Sequence, residues 1–428
     1  MTVAESTFDE VFALEPRAVR CPFGAYQQTR AENPVFWSDR VQAFVVSRYE
    51  DIAEVLRAPE KYSSSVASGP RSVTPLAAQL LENPDTPAKL RAQAERRMQI
   101  SKATVLLFSD PPNHVRQRKL VNKGFTARRI NGMEEEIRGV ARGLVDRFAA
   151  DGRVELVSQF SIGLPMTVIA DLVGVPQDMH DTFKRWSDNF TAGTGNFGLT
   201  SDEVADMFDS VDQFYDFFTE QVEARRAEPR DDLLSDLVAA RIGGEEPLQV
   251  NEILQMLVQF LVAGNETTTN LVTSIVYRLV TDAALMAKVR EDLSLVQPLV
   301  EEVLRVESPV QGMFRRATED SVIGGVEIPE GSILWLSYGS ANRDESQFRD
   351  SEQITLGRSD PQPHLAFGRG EHFCLGAGLA RLEARVGVQT LLERLDDIAL
   401  DGSDEDLAYL PNFMLRGIRK LPLTFTAR

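Results

Sequence analysis

The chain has 428 residues with 43% hydrophobic and 26% charged side chains, a length at which two or three domains are the usual expectation. Its net charge of −18 argues against a nucleic-acid partner, because proteins that bind nucleic acids neutralise phosphates with basic surfaces. Its only two cysteines, Cys21 and Cys374, provide no disulfide framework, which is consistent with a reducing compartment.

The first fifteen residues are acidic and contain Glu5, Asp9, Glu10 and Glu15. No apolar run in this region is long enough for a signal peptide or a membrane anchor. We therefore expect a soluble, cytoplasmic protein.

The periodicity of the remaining chain predicts a mainly α protein with small β-sheets. Helical spacing of apolar residues recurs in eight segments: 133–150, 162–173, 202–226, 231–241, 251–280, 282–292, 295–307 and 375–395. Short strands are predicted at 43–47, 153–157, 321–328, 332–336 and near the C-terminus.

The segment 63–109 is unusually long for a connection. It contains a helical stretch from Leu76 to Met98 that is broken at Asn83-Pro84 and Pro87. Such a segment is either a lid over a binding pocket or a surface insertion, and the sequence leaves both interpretations open.

A basic segment follows, and the proline after Asp110 is typical of a helix start. His114 and Arg118 are four residues apart, so they share a face of that helix and can both donate to carboxylates. From Pro111 to Met133 there are six basic residues and no acidic one: Arg116, Arg118, Lys119, Lys123, Arg128 and Arg129. A solvated basic face and an electrostatic docking surface both remain possible interpretations.

The apolar segment from Asn251 to about Leu279 predicts a long helix with the weak helix formers Ala263-Gly264-Asn265-Glu266-Thr267-Thr268 in its middle. One interpretation is a local bend in a core helix, with threonine hydroxyls bonded to carbonyls one turn back. The other is a functional site that needs these small and polar groups.

Glu302-Val303-Leu304-Arg305 is a Glu-x-x-Arg sequence in a helix predicted to begin near Leu295. The same spacing occurs at Glu54/Arg57, Glu135/Arg138 and Glu223/Arg226, where a solvated ion pair is the plain interpretation. Only the Glu302 copy lies about 70 residues before Cys374 and is followed by a Ser308-Pro309 stop.

Cys374 lies in a glycine-bracketed loop, Phe367 to Gly376, that leads directly into a helix. The N-terminus of a helix favours negative charge, so this position favours a thiolate. Four roles compete: a buried small side chain, a nucleophile, a zinc ligand or a haem ligand. Zinc needs about four ligands and Cys21 is remote, while His372 is awkwardly placed to act as a base. The flanking glycines and aromatic residues do not suit an ordinary core position. What remains is a metal centre with one thiolate, and haem iron accepts a single protein thiolate as axial ligand.

At this loop the sequence resembles the cytochrome P450 superfamily. Residues 367–376 match the family's haem-binding pattern Phe-Gly-x-Gly-x-His-x-Cys-x-Gly at every specified position, and the motif is highly specific. The resemblance extends from about Pro34 to the C-terminus and implies the cytochrome P450 fold of a bacterial type without a membrane anchor. Because one cofactor would touch four separate segments, it also implies a single domain over 1–428, with 1–33 as an extension and 63–109 as a lid region over the haem pocket.

The resemblance implies haem b, protoporphyrin IX iron with an axial thiolate from Cys374. His114, Arg118, Arg315 and His372 match positions that bind the haem propionates, and Phe367, Gly368 and Gly376 shape the cysteine loop. Gly264 would let the helix backbone approach the haem closely.

It also implies a haem-thiolate monooxygenase, an oxidoreductase of class EC 1.14, that uses O2 to hydroxylate or epoxidise a lipophilic small molecule. Glu266 as acid and Thr267 as alcohol would relay protons for oxygen activation, and Glu302 with Arg305 would form a buried structural pair. Family position predicts substrate contacts at Phe260, Leu261, Ala263, Val310, Met313, Phe314, Met414 and Leu415. A terpenoid, steroid, fatty acid or aromatic substrate would suit these side chains.

For partners we expect a ferredoxin, of the 2Fe-2S or a similar type, with an NAD(P)H-dependent reductase, docking on the basic helix near the cysteine. No nucleic acid or membrane partner is expected, and the protein should be a monomer. Two rival functions remain: a haem-thiolate peroxygenase or reductase, against which the Glu266/Thr267 pair argues, and a non-catalytic haem sensor, which would need no proton relay.

Overall fold

The computed structural model describes residues 7–67, 73–192, 201–241, 243–358 and 363–428. The α-helices are α1 (Phe8–Phe12), α2 (Pro16–Arg20), α3 (Phe23–Glu32), α4 (Tyr49–Arg57), α5 (Val73–Glu82), α6 (Ala88–Ile100), α7 (Asn113–Val121), α8 (Ala127–Gly132), α9 (Glu134–Asp146), α10 (Gly163–Leu172), α11 (His180–Ala192), α12 (Ser201–Ala227), α13 (Leu233–Ala239), α14 (Val250–Thr281), α15 (Ala283–Glu291), α16 (Val296–Glu307), α17 (Tyr338–Ala341) and α18 (Ala377–Arg394). The strands are β1 (Val35–Ser38), β2 (Ala43–Val46), β3 (Tyr62–Ser63), β4 (Arg153–Glu155), β5 (Met313–Ala317), β6 (Ser321–Ile323), β7 (Val326–Ile328), β8 (Ile333–Leu336), β9 (Leu395–Leu400) and β10 (Pro422–Ala427). The predicted mainly α fold with small sheets is confirmed.

The chain divides into two units that are each built from separate segments. The first unit comprises Met1–Ser64, Ile130–Pro165 and Glu266–Arg428, and the second comprises Ser65–Arg129 and Met166–Asn265. Every strand of the described residues lies in the first unit, whereas the described part of the second unit contains helices but no strand. The chain crosses from the second unit into the first within helix α14.

The largest sheet of the first unit has five strands in the order β1-β2-β8-β5-β3. The β2–β8 pair is parallel and the other neighbours are antiparallel. Helices α4 and α17 contribute Tyr49, Ile52 and Tyr338 to a core with the buried faces of β2 and β8. Burying one face of each strand in this way fixes the register of β5, which carries Arg315.

In the second unit, helices α5 and α6 pack against α12. Ala77, Ala94, Met207 and Phe208 form a small buried cluster between them. The two helices are separated at Asn83–Pro87, where the sequence predicted a break. The helical content predicted for 63–109 is thus observed, while its function as a lid stays a prediction.

We searched the described helices for membrane spans. Within that part of the chain, no helix is both long and apolar enough to cross a bilayer.

Candidate active site

The cysteine loop, residues 367–376, is shaped by its own backbone. Gly370 has a φ of 73°, a left-handed conformation that most side chains disfavour. A Cβ at Gly370 would also lie 2.6 Å from the carbonyl oxygen of Leu56, so only glycine fits there. The backbone N–H of Cys374 donates to the carbonyl of Phe367 at 2.9 Å. Together these constraints fix the position of the cysteine.

Cys374 is half-buried and lies two residues before Gly376, the N-cap of helix α18. The sequence predicted a helix from Leu375, and the observed helix begins at Ala377. A Cβ at Gly376 would meet no described atom within 4 Å, so the chain beside the thiol presents an open surface. The helix start nearby favours a negative charge on the sulfur.

Glu302 and Arg305 are 4% and 1% exposed, so the burial predicted for this pair is observed. Arg305 donates to both carboxylate oxygens, from Nε to Oε1 at 2.9 Å and from Nη2 to Oε2 at 3.1 Å. Arg358 Nε donates to Oε1 at 2.9 Å and the N–H of Thr355 to Oε2 at 2.7 Å. Burial raises the pKa of Glu302, but these hydrogen bonds outweigh it and lower the pKa below its ordinary value. The carboxylate therefore attaches helix α16 to the segment ahead of the cysteine loop.

The neighbouring carboxylate, Glu301, is absent from the sequence-based site. Arg381 donates to it from Nε at 2.7 Å and from Nη2 at 2.9 Å, and His364 Nε2 lies 3.2 Å from its Oε2. Burial opposes ionisation, but the bonds from His364 and Arg381 lower the pKa of Glu301 to about 2. The Arg381 guanidinium lies 4.6 Å from the ring centroid of Phe367 in the cysteine loop. The Glu301-Glu302 doublet was the only signal in the sequence, and such doublets are common on solvated helices.

Arg315 on β5 is 4% exposed and donates from Nη1 to the carbonyl of the preceding residue at 2.8 Å. None of the described carboxylates forms an ion pair with it, so an anionic group would complement this buried cation. Burial raises the pKa of the neighbouring Tyr338, and the charge of Arg315 partly offsets that rise. His372 Nε2 lies 3.0 Å from Ser64 Oγ and 3.5 Å from Glu371 Oε1, which orient the ring.

The other two residues predicted to bind propionates, His114 and Arg118, lie in the second unit. They are one turn apart on helix α7, as their spacing predicted. His114 is 1% exposed and Arg118 is half-buried.

Helix α14 is continuous through the predicted oxygen-activation residues. Glu266 and Thr267 are half-buried, and a Cβ at Gly264 would meet no described atom within 4 Å. Thr269 Oγ1 donates to the carbonyl of Ser161 at 3.1 Å rather than to a carbonyl one turn back. The hydroxyl of Thr269 therefore bonds to another segment of the first unit rather than to its own helix.

The predicted substrate contacts of the first unit divide by exposure. Val310 and Leu415 pair as an isolated antiparallel bridge, and Met313 and Met414 are half-buried like them. Phe314 is only 2% exposed. It offers almost no surface to a ligand, because its side chain is used in core packing.

The predicted contacts of the second unit divide in the same way. Ala263 is exposed and Phe260 is half-buried, with its ring 5.5 Å from that of Phe125. Leu261 has no exposed surface. Adjacent helical residues point about 100° apart, so Leu261 faces the core when Phe260 does not. We therefore omit Leu261 and Phe314 from the contact set proposed below.

The basic run from Pro111 to Met133 is largely paired inside the second unit. The observed partners are Glu252 for Arg116, Glu245 for Lys119 at 3.3 Å, the carbonyl of Arg241 for Lys123 at 2.7 Å, and Asp236 for Arg129. Arg128 is exposed and forms no ion pair with the described residues. The surface is thus less cationic than the run of six basic residues predicted.

Comparison with known proteins identifies the family of the chain. The family model for cytochrome P450 matches residues 74–416. The chain is 36% identical to cytochrome P450 107B1 of Saccharopolyspora erythraea over 421 residues, 97% of this chain and 96% of the relative. It is 37% identical to the mycinamicin IV hydroxylase/epoxidase of Micromonospora griseorubida over 407 residues, 94% of each. The solved structure of cytochrome P450 CYP109Q5 from Chondromyces apiculatus matches with a TM-score of 0.83 at 35% identity, covering 97% of this chain and 98% of that one.

The chain therefore belongs to the cytochrome P450 family, and it is a haem-thiolate monooxygenase of the bacterial type, class EC 1.14. The predicted family and the predicted haem b cofactor are confirmed. Members of the family use O2 and a redox partner.

The residues of this chain fit a haem. Cys374 is a half-buried residue whose backbone N–H is bonded to the carbonyl of Phe367. Arg315 is a buried cation without a carboxylate partner among the described residues. The open surface at Gly376 would admit a flat ligand against the backbone of the cysteine loop. This donor set, one thiolate with cationic groups for two carboxylates, matches the chemistry of protoporphyrin IX iron.

Proposed function

We propose that this monooxygenase inserts one oxygen atom from O2 into a lipophilic small molecule, by hydroxylation or epoxidation. The observation that carries the substrate class is the apolar character of the accessible side chains at the contact positions: Phe260, Ala263, Val310, Met313, Met414 and Leu415. Such side chains bind ligands by removing apolar surface from water. A terpenoid, steroid, fatty acid or aromatic compound is expected, and one relative's name, mycinamicin IV hydroxylase/epoxidase, supports both reaction types.

The residue roles follow the family pattern. Cys374 would hold the iron, and His114, Arg118, Arg315 and His372 would bind the propionates. When bound, the haem supplies oxygen activation at an iron with a single thiolate ligand. The loop around Cys374 keeps the sulfur in place.

Glu266 and Thr267 would supply the protons that this chemistry consumes. The Glu266 carboxyl would take protons from solvent, and the Thr267 Oγ1 would hand them on. Both side chains are half-buried, which allows contact with solvent without full exposure.

The relay is tested by Thr267→Ala. We expect normal haem content and ligand binding, but about tenfold or more loss of product per NAD(P)H consumed, with the missing electrons recovered as hydrogen peroxide. Thr281→Ala, an exposed position at the end of the same helix, is the matched control. Coupling equal to wild type in Thr267→Ala would show that Thr267 moves no proton.

We propose a ferredoxin, of the 2Fe-2S or a similar type, with an NAD(P)H-dependent reductase as the electron source, and a cytoplasmic monomer as the working state. The exposed side chains of Lys119, Lys123 and Arg128 support docking of an acidic partner. Since two of these three cations already have partners, the reduction rate should fall only moderately as salt rises.

The function is tested by screening lipophilic compounds for the haem absorption change that follows ligand entry, then supplying O2, a surrogate ferredoxin, its reductase and NAD(P)H. One oxygen atom from labelled O2 in the product supports the proposal. Product formed only from added peroxide would instead identify a peroxygenase, and absence of any product with compounds that bind would favour a sensor.

A further inference from the structure

A short turn in the second unit, Thr104 to Phe108, has backbone groups that are bound by side chains from two helices. The turn ends the segment 63–109 and forms a single 3-10 turn from Leu106 to Phe108. Leu106 has a φ of 41°, a left-handed conformation that a leucine adopts at a cost. Such a conformation persists only when surrounding groups hold it in place.

Gln117 of helix α7 holds the turn from one side. Its Oε1 accepts the N–H of Leu106 at 2.9 Å, and its Nε2 donates to the carbonyl of Thr104 at 3.0 Å. The same Nε2 donates to Glu252 Oε1 at 3.0 Å. Gln117 is fully buried, and its bonds to Leu106 and Glu252 are made away from water.

Gln259 of helix α14 binds the backbone groups of the two neighbouring residues, Val105 and Leu107. Its Nε2 donates to the carbonyl of Val105 at 2.9 Å, and its Oε1 accepts the N–H of Leu107 at 3.3 Å. The two glutamines, which we call the glutamine clamp, thus bind four consecutive residues in alternation. Gln117 binds the backbone of residues 104 and 106, and Gln259 binds the backbone of residues 105 and 107.

The clamp connects the turn to the accessible face of helix α14. Gln259 immediately precedes Phe260, and the exposed Ala263 lies one turn further along. Leu107, whose N–H binds Gln259, and Phe108, whose N–H donates to the carbonyl of Val105, are apolar and partly exposed. Leu106, by contrast, is buried under the turn. The glutamines therefore fix two apolar side chains relative to Phe260 and Ala263.

We propose that Gln117 and Gln259 are positioning residues for substrate selectivity: by holding the turn Thr104–Phe108, they set the position of Leu107 and Phe108 beside the substrate. The inference rests on the proposed function, because it assumes that Phe260 and Ala263 face the substrate. Neither glutamine takes part in oxygen chemistry. Loosening either one should alter which ligands fit without removing the haem.

The contacts are tested by residue-resolved hydrogen–deuterium exchange on the haem-loaded protein. Gln259→Leu should accelerate exchange of the Leu107 amide by about fivefold or more, and Gln117→Leu should do the same for the Leu106 amide. Gln255→Leu, one turn earlier on α14 and bonded to Tyr215, is the matched control and should change neither amide. Unchanged exchange at both amides in both variants would overturn the clamp.

Selectivity is tested with two iron-binding probes, imidazole and 4-phenylimidazole, followed by haem absorbance. Imidazole is small and should bind Gln259→Leu as it binds the wild type. The affinity for 4-phenylimidazole should change by about threefold or more, because its phenyl ring needs the apolar wall. Gln259→Met repeats the measurement with an unbranched side chain if leucine impairs haem loading.

An unchanged ratio of the two dissociation constants in a variant with accelerated exchange would show that the clamp is only structural, and would overturn the proposal. Neither measurement needs turnover. A failure of the clamp is therefore distinguishable from a failure of the proposed monooxygenase function, which the product assay reports.

Discussion

Two regions of this molecule hold irregular segments in place with different chemistry. Beside the cysteine loop, charged groups do so: Glu302 binds two arginines, and Arg305 also donates to the carbonyls of Asn342, Ser351 and Gln353 at 2.6–3.0 Å. At the turn Thr104–Phe108, two neutral amides do so. Breaking a buried charge network leaves an uncompensated charge, whereas removing either glutamine loses its two hydrogen bonds to the turn but leaves no ion-pair partner behind.

The difference suits the two tasks. The cofactor is common to the whole family. The segment that carries its cysteine ligand is therefore held by charged interactions, which cost the most free energy to break. Substrate differs among relatives, and a turn held by neutral groups can change sequence without stranding a charge. The same reasoning ranks charged groups by their burial and by whether they have a partner, and three predictions test it.

The largest effect is expected for Glu302→Ala, which leaves Arg305 and Arg358 without their carboxylate. Loss of one member of a buried pair costs about 3–5 kcal/mol, so we expect little or no haem-loaded protein. Glu223→Ala is the matched control, because it removes the same Glu-x-x-Arg spacing at an exposed pair. Haem content equal to that of the control would contradict a structural role for Glu302.

A smaller effect is expected at Glu383 on helix α18, a buried carboxyl whose Oε2 has no hydrogen-bond partner among the described residues. Burial raises its pKa from 4.5 to about 8. Between those pH values the folded protein holds a proton that the unfolded chain releases. The free energy of unfolding should therefore fall as pH rises from about 5 to 8, by at most about 1.4 kcal/mol per pH unit.

Glu383→Gln should remove that slope, because a neutral amide of the same shape needs no proton. Denaturant unfolding at pH 5, 6.5 and 8 measures it, with Glu393→Gln, a more exposed position on the same helix, as the control. A variant as pH-dependent as the wild type would show that Glu383 is ionised in the folded protein at neutral pH.

The smallest effect is expected on the ion pairs between helices α6 and α12. Arg96 lies 3.3 Å from Asp212 and 2.6 Å from Asp216, and all three side chains are partly exposed. Arg96→Gln should cost about 0.2–1 kcal/mol in unfolding free energy, and the cost should shrink at high salt. Arg142→Gln, at an exposed position, is the control. A loss of unfolding free energy above that range would show that this exposed contact stabilises the protein as much as a buried ion pair does.

The features that the sequence predicted correctly are those encoded by neighbouring residues. The cysteine loop and the long helix α14 are encoded in contiguous residues, by glycines and by apolar periodicity, and both are present. The sequence did not predict strand β5, because Arg315 and Arg316 lie side by side within it and interrupt the alternation of apolar and polar residues. In the structure Arg315 is buried and Arg316 is exposed. Family position named Leu261 as a substrate contact, but helical geometry turns it into the core.

The remaining residues depend on distant partners. Glu301 is distinguished from a solvated glutamate only by its partners His364 and Arg381, 63 and 80 positions later. Gln117 and Gln259 are separated by 142 positions, and nothing in either local sequence marks them. Such contacts exist only once the helices have packed, so a local pattern cannot predict them.

The Glu301-Glu302 doublet has a consequence for how the enzyme loses its cofactor. Consecutive side chains of helix α16 attach the segment before the cysteine loop, through Thr355 and Arg358, and the helix after it, through Arg381. A displacement of α16 would carry both attachments together and leave the geometry of the loop unchanged. Thiolate coordination should then persist on heating until α16 itself unfolds, so that loss of the haem and loss of the fold form one cooperative transition.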